Sequence, residues 1–390
     1  MKFPQLDLKA QYKSIQKEIE AKVEEVLRTQ MLILGPEVAA LEQELSEYVG
    51  TNAAVGVSSG SDALIISLMA LGLKPGDEVI TTPFTFFATG GAIARLCAKP
   101  LFCDIDPVTY NLDPELLESL LDEEIGKKGN DKIKGIIPVH LYGQCADMAP
   151  IMKLAEKYGL FVLEDAAQAV GSEYMMGDSV KRACTMGQAG ILSFYPAKNL
   201  GAFGDAGMVL TNDEELGNKL KLLRAHGSSN KYYYAEVGGN FRMDAIQGAV
   251  LRVKLRHLDE WHQKRQEKAA HYDRLFIESG LAGDGIVQTP QTVYKDKGLK
   301  YYHTFHQYVV RVNSRDDVQN YLRDQGVPSA IFYPLPLHLQ KCFAHLGYRE
   351  GDFPVSEKAA SEVLALPVYP ELTSEQQDIV VQTITNFYIR

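Results

Sequence analysis

Short apolar runs recur along this chain at intervals that only a layered α/β architecture absorbs. They cover Ala54–Val57, Glu78–Thr82, Pro100–Cys103, Ile133–Val139, Leu160–Leu163, Ala189–Phe194 and Met208–Leu210. Helical stretches lie between most of them, and Val38, Leu41, Leu45, Tyr48 and Val49 follow a helical period ahead of the first. The alternation predicts a mostly parallel sheet covered on both faces. Sites in such sheets gather at the carboxyl ends of strands. The 390 residues suffice for a large domain and a smaller one. From Ala249 the pattern becomes one long amphipathic helix with Leu251, Leu255, Leu258 and Trp261. The reading is a large domain over 1–250 and a small C-terminal α+β domain over 251–390, with strands at Thr304–Val312 and Ser329–Tyr333. The charged, glycine-containing stretch Asp122–Asp131 reads as an exposed loop.

Two strand ends carry chemistry. The run Ala189–Phe194 breaks at Pro196, and Lys198 follows at once, with glycines at 201, 204 and 207 behind it. A partly desolvated lysine has a lowered pKa and can attack an aldehyde. Upstream, Glu164-Asp165-Ala166-Ala167-Gln168 closes the run Leu160–Leu163. A carboxylate there can face the ring nitrogen of pyridoxal 5′-phosphate (PLP) and keep it protonated. A third strand end, Ser59-Gly60-Ser61-Asp62 before the helix Ala63–Leu71, offers free N–H groups suited to a phosphate, with Ser61 or Asp62 as the helix cap.

These segments share one context. Glu164–Gln168, the run Ser193-Phe194-Tyr195-Pro196-Ala197-Lys198-Asn199-Leu200-Gly201, Ser58–Leu64, Gly238–Gln247 and Tyr333–His338 stand in an order that resembles the DegT/DnrJ/EryC1/StrS sugar-nucleotide aminotransferases, nearly end to end. The resemblance implies PLP fold type I, the aspartate aminotransferase-like architecture. It implies that Lys198 binds PLP covalently and then moves protons, and that Asp165 pairs with the pyridinium. It assigns Gln168 to the ring 3′-oxygen, Gly60, Ser61, the Asp62 backbone and Ser193 to the phosphate, and Phe86 to stacking on the ring. Phe84 or Phe87 takes that place if the register slips. Asn240 is implied to reach the phosphate of a neighbouring subunit, with Arg242 meeting an acidic sugar, so a homodimer with shared sites is expected. Lys231 and Tyr232 are expected at the nucleotide-sugar entrance, with His306, Tyr308 and His338 as further substrate contacts. The stretch Met175–Cys184 departs from the family pattern and carries no contact.

The implied reaction moves an amine from a donor, by resemblance L-glutamate, to a nucleotide-linked keto sugar, for a surface polysaccharide or a glycosylated metabolite. Leu346-Gly347-Tyr348 and Gly351-Asp352-Phe353-Pro354 look more like enzymes that make 3-amino sugars than 4-amino ones. A 4-keto substrate is the alternative, and a PLP-binding regulatory protein without turnover is a rival from another class. The related sugar dehydratases have histidine in place of the lysine, which Lys198 argues against.

Composition narrows the setting. Forty basic and fifty acidic residues give a formal charge of −10, which disfavours nucleic acid. Between Lys219 and Arg256 eight Lys or Arg face only Glu236 and Asp244. That stretch is read partly as a solvated helix face and partly as a field for an anionic substrate. Five cysteines without metal spacing, and no apolar run of transmembrane length, suggest a cytoplasmic protein with reduced thiols, no metal and no membrane contact.

Overall fold

A computed structural model describes residues 2–389. Helices α1 (Leu8–Thr29) and α2 (Gly35–Val49) lead into strand β1 (Ala53–Val57) and helix α3 (Gly60–Ala70). The alternation continues through β2 (Glu78–Thr81), α4 (Ala88–Arg95), β3 (Lys99–Phe102), α5 (Pro114–Leu121), β4 (Ile133–Ile137), α6 (Met148–Tyr158) and β5 (Phe161–Asp165). A hairpin of β6 (Glu173–Met176) and β7 (Ser179–Arg182) precedes β8 (Ala189–Ser193), β9 (Gly207–Thr211) and α7 (Glu214–Arg224).

The central sheet has seven strands in the order β1-β9-β8-β5-β4-β2-β3. Only β9 runs against the others, pairing antiparallel with both β1 and β8. The carboxyl ends of β1, β2, β4, β5 and β8 therefore share one edge. Alternation along the strands assigns the two faces. Ile80, Ile136, Val162, Leu192 and Leu210 join one core with α1 and α2. Val79, Ile137, Leu163, Ile191 and Val209 join another with α3. Asp165 and Ser193 follow the second parity and face α3. Glu164 follows the first and is fully buried, accepting from the N–H groups of Cys184, Met186 and Gly187 at 2.7–2.9 Å and meeting His140 Nε2 at 2.9 Å.

A hairpin of β10 (Ser228–Asn230) and β11 (Tyr233–Tyr234) precedes α8 (Ala245–Leu255) and α9 (Leu258–Glu278). The C-terminal part holds β12 (Val287–Gln288), β13 (Tyr308–Val312), α10 (Arg315–Asp324), α11 (Pro354–Glu362), β14 (Val363–Leu366) and α12 (Ser374–Tyr388). Its antiparallel sheet β12-β13-β14 packs on α9, α10 and α12, and Phe3 from the chain start joins that core.

Four expectations change. The long helix from Ala249 is two helices, broken at Arg256–His257, where both side chains turn to Glu18 of α1. Ser329–Tyr333 contributes only a bridge from Ala330 to Ala365; the strand there is β14. Asp122–Lys127 continues α5 as a π-helical turn, because its carboxylates pair with Lys127, Lys128 and Lys157. Three of the eight basic residues between Lys219 and Arg256 are committed inside the protein. Arg224 binds Glu42 and Gly56 O, Arg252 binds Glu37 and Glu44, and buried Lys254 donates to Gly201 O at 2.7 Å.

Candidate active site

The shared strand edge opens into a cavity of about 540 Å³ that contains Gly60, Ser61, Phe86, Asp165, Gln168, Ser193 and Lys198. Lys198 arrives there through a turn in which its N–H donates to Tyr195 O at 2.8 Å, with Pro196 preset at the corner. A Cβ on Gly201 would lie 2.3 Å from Pro196 O, so only glycine lets the loop close behind the lysine. Surrounding protein strips water from the Lys198 amine and pushes its pKa down to about 8, against a smaller opposing pull from Asp165.

Asp165 is buried at the end of β5. Burial raises its carboxyl's pKa, partly offset by Thr89 Oγ1, which donates to Oδ2 at 2.9 Å, and by the Ala167 N–H, which donates to Oδ1 at 3.2 Å. No salt bridge neutralises it among the described residues. Gln168 Oε1 accepts from Tyr142 N at 2.8 Å, which fixes the amide; its Nε2 donates to Tyr333 OH at 2.9 Å.

The helix cap is Ser59, ahead of both Ser61 and Asp62, where the sequence reading placed it. Its Oγ takes the Asp62 N–H at 3.0 Å. The Asp62 carboxylate turns back to the Ser58 and Ser59 hydroxyls at 2.6 and 3.0 Å, so Asp62 does not line the cavity. Gly60 and Ser61 keep the free first-turn N–H groups. A Cβ on Gly60 would meet Ser193 Cβ at 2.6 Å, so only glycine lets α3 approach the end of β8 this closely, where Gly60, Ser61 and Ser193 all line the cavity.

Of the three neighbouring phenylalanines, Phe84 is core and Phe87 packs on Phe343 at 5.8 Å, while Phe86 lines the cavity with 59% of its surface open. His306 lies in the cavity wall. Tyr308 does not: it is fully buried, stacked on Tyr272 at 4.9 Å and donating to Asp273 at 2.6 Å. His338 does not line the cavity either and is held by Glu357 at 2.9 Å and the Phe353 ring at 4.7 Å. Asn240 and Arg242, hydrogen-bonded to each other at 2.9 Å, line a second hollow of about 490 Å³ that shares Ser59 and Asp205 with the first. Lys231 and Tyr232 stand at the turn of the β10–β11 hairpin and do not line this chain's cavity, with Tyr232 76% exposed. Sequence reasoning passed over Thr89, Tyr333 and Gln307, which also line the cavity.

Residues 13–385 match the model of the DegT/DnrJ/EryC1/StrS aminotransferase family. The chain belongs to that family. Among its relatives is a pleiotropic regulatory protein of Geobacillus stearothermophilus, 49% identical, with 100% of this chain and 99% of that protein covered. Another is the UDP-2-acetamido-2-deoxy-3-oxo-D-glucuronate aminotransferase of Pseudomonas aeruginosa, 41% identical over 98% of this chain and 99% of that one. A DegT/DnrJ/EryC1/StrS aminotransferase from Brucella abortus superposes with a TM-score of 0.91 and 35% identity, covering 100% of both chains. The mostly parallel central sheet between helices is that of PLP fold type I.

DegT-family aminotransferases use PLP, and the residues present fit it. An unpaired buried carboxylate stands where a protonated ring nitrogen would answer it, a depressed lysine shares its cavity, and a glycine cradle of N–H and O–H donors closes one end. The chain is a PLP-dependent aminotransferase.

Proposed function

We propose that this aminotransferase converts a nucleotide-linked 3-keto sugar to the 3-amino sugar, with L-glutamate as donor. The observation that carries the reading is Lys198 and Asp165 in one cavity whose phosphate end is built from α3 and β8. The 3-oxo substrate in the name of the Pseudomonas relative favours C3 over C4. The product suits polysaccharide assembly.

In this reading Lys198 would hold the cofactor in the resting enzyme, and its freed amine would take up and return a proton within the cavity. A pKa near 8 lets it both accept and return that proton at neutral pH. PLP supplies the electron sink. Asp165 stays charged against the ring N–H and keeps it protonated, with Thr89 aiming the carboxylate. Gly60, Ser61 and Ser193 bind the phosphate, Gln168 uses its remaining N–H on the 3′-oxygen, and Phe86 covers the ring. The proposal keeps a large domain and a small C-terminal one, with the division near 250 moved past α8, because Val253, Leu258 and Trp261 pack in the core shared with α1 and α2. The free cysteines agree with a cytoplasmic setting.

The name of the relative from Geobacillus supports the regulatory alternative. A complete lysine, carboxylate and phosphate cradle favours turnover. Incubating the purified enzyme with PLP, L-glutamate and a panel of 3-keto and 4-keto nucleotide sugars distinguishes the readings. The expected product is a 3-amino sugar nucleotide, identified by mass spectrometry and NMR. Amination only at C4 would reverse the regiochemistry, and no product with any member would favour the regulatory role.

The proposal includes a homodimer. Met31, Ile33, Tyr232, Tyr233 and Val237 expose between 49% and 88% of their surface, and Ile33 bridges Asp244 beside Arg242. So much open apolar surface, with Ile33 lining the second hollow, suits a second copy. Asn240 and Arg242 would then complete the partner's cavity, with Lys231 and Tyr232 at its mouth. Co-expressing Lys198→Ala chains with Asn240→Ala/Arg242→Ala chains, each inactive alone, is expected to restore part of the activity, because one site of the heterodimer receives both intact halves. A verified heterodimer with no recovery would assign the loop to its own subunit.

A further inference from the structure

Asn199, the residue after Lys198, starts a hydrogen-bond chain whose direction is dictated at one end. The Thr304 carbonyl can only accept, so Asn199 gives it the Nδ2 amide at 3.0 Å. Asn199 Oδ1 then faces His306 Nδ1 at 3.3 Å. An amide oxygen also only accepts, so Nδ1 carries the imidazole proton. The ring is neutral: burial, with the positive charges of Lys198 and Arg265, holds His306 well below its ordinary pKa. Nε2 is left with a lone pair, and the Gln307 amide stands 3.4 Å from it. The atom Gln307 turns to His306 must therefore be its N–H. Its Oε1 is left over, with no donor from the protein among the described residues, and Gln307 lines the cavity.

We infer that Gln307 is a specificity-determining residue whose Oε1 accepts a hydroxyl of the keto sugar, and that His306 is the positioning residue that fixes the amide's orientation. The inference rests on the nucleotide-sugar reading. A carbonyl oxygen backed by a neutral imidazole repels carboxylate and diphosphate and suits a neutral O–H. The sugar carries such groups and glutamate does not. His306 is thereby reassigned from a substrate contact to a support for one.

The test has two arms. In holoenzyme labelled with ¹⁵N-histidine, His306→Asn removes one of nine histidines and assigns the signal. The expected signal is a neutral Nδ1–H ring across the neutral pH range. Gln307→Glu places a carboxylate opposite Nε2, which favours the doubly protonated ring, so His306 is expected to titrate at a higher pH than in wild type. A wild-type Nε2–H ring, or a Gln307→Glu spectrum that does not move, would overturn the chain of hydrogen bonds. In the kinetic arm, Gln307→Leu is expected to raise KM for the 3-keto nucleotide sugar about tenfold, the cost of one hydrogen bond, with KM for L-glutamate unchanged. A rise confined to glutamate, or no rise in either, would overturn the sugar contact. The NMR arm needs no turnover. If wild type aminates no keto sugar, the substrate reading and the Gln307 contact fail together, while the His306 orientation is still decided.

Discussion

Lys198→Ala is expected to lower kcat by roughly 10³-fold or more while leaving a protein that still binds PLP, because general acid–base catalysis contributes on that scale. The phosphate donors at Gly60, Ser61 and Ser193 come from α3 and β8, and the carboxylate of Asp165 from β5, so none depends on the lysine side chain. What disappears is the amine that carries the proton. The other buried lysine with a depressed pKa, Lys254, cannot replace it: its Nζ is committed to Gly201 O at 2.7 Å and does not line the cavity. Equilibrium dialysis with PLP and single-turnover kinetics check the two halves of the prediction. Retention of more than a few per cent of the wild-type rate would mean that another base does the work.

Removing the carboxylate of Asp165 is expected to cost about 10²–10³-fold in kcat, the scale on which a positioned electrostatic partner contributes. Asp165→Ala deletes the group, and Asp165→Asn keeps its shape without the charge. The asparagine variant separates function from stability. Burial raises the Asp165 pKa above its unfolded value, so the folded cofactor-free chain is stabilised below that range and loses stability as the pH rises through it. At neutral pH, cofactor-free Asp165→Asn is therefore expected to melt about 1–3 °C above wild type. The Thr89 hydroxyl can turn to Phe86 O, 3.3 Å away, so no donor is stranded. Activity falls while stability rises, the pattern of a charge kept for its ligand. A melting temperature that drops with activity would make Asp165 a structural residue.

The parts legible in the sequence are those where local pattern and chemistry coincide. The strand runs and the break after Phe194 place Lys198 and Asp165 on one sheet edge because parallel strands present their carboxyl ends together. Phe86 was readable only to within three candidates, because a run of aromatics after a strand does not say which ring turns outward. Thr89 and Gln307 were illegible for another reason: each is an ordinary residue whose role exists only through a partner, Asp165 76 residues away or His306 anchored through Asn199. Tyr308 and His338 mark another limit: polar aromatics near family motifs look like ligand contacts, and a sequence does not show that Tyr308 donates to Asp273 or that His338 Nε2 meets Glu357. Within the basic stretch, a count of charges does not show that Arg224 and Arg252 already face Glu42, Glu37 and Glu44. The break at Arg256–His257 has no glycine or proline to announce it.

The central claim is that the cavity between α3, β5 and β8 is the PLP site and Lys198 its point of attachment. Borohydride reduction of the PLP-loaded enzyme, followed by peptide mapping, tests it most directly. Reduction is expected to bleach the yellow colour and leave the pyridoxyl label on the peptide containing Lys198. A label on another lysine, Lys254 included, would contradict the account.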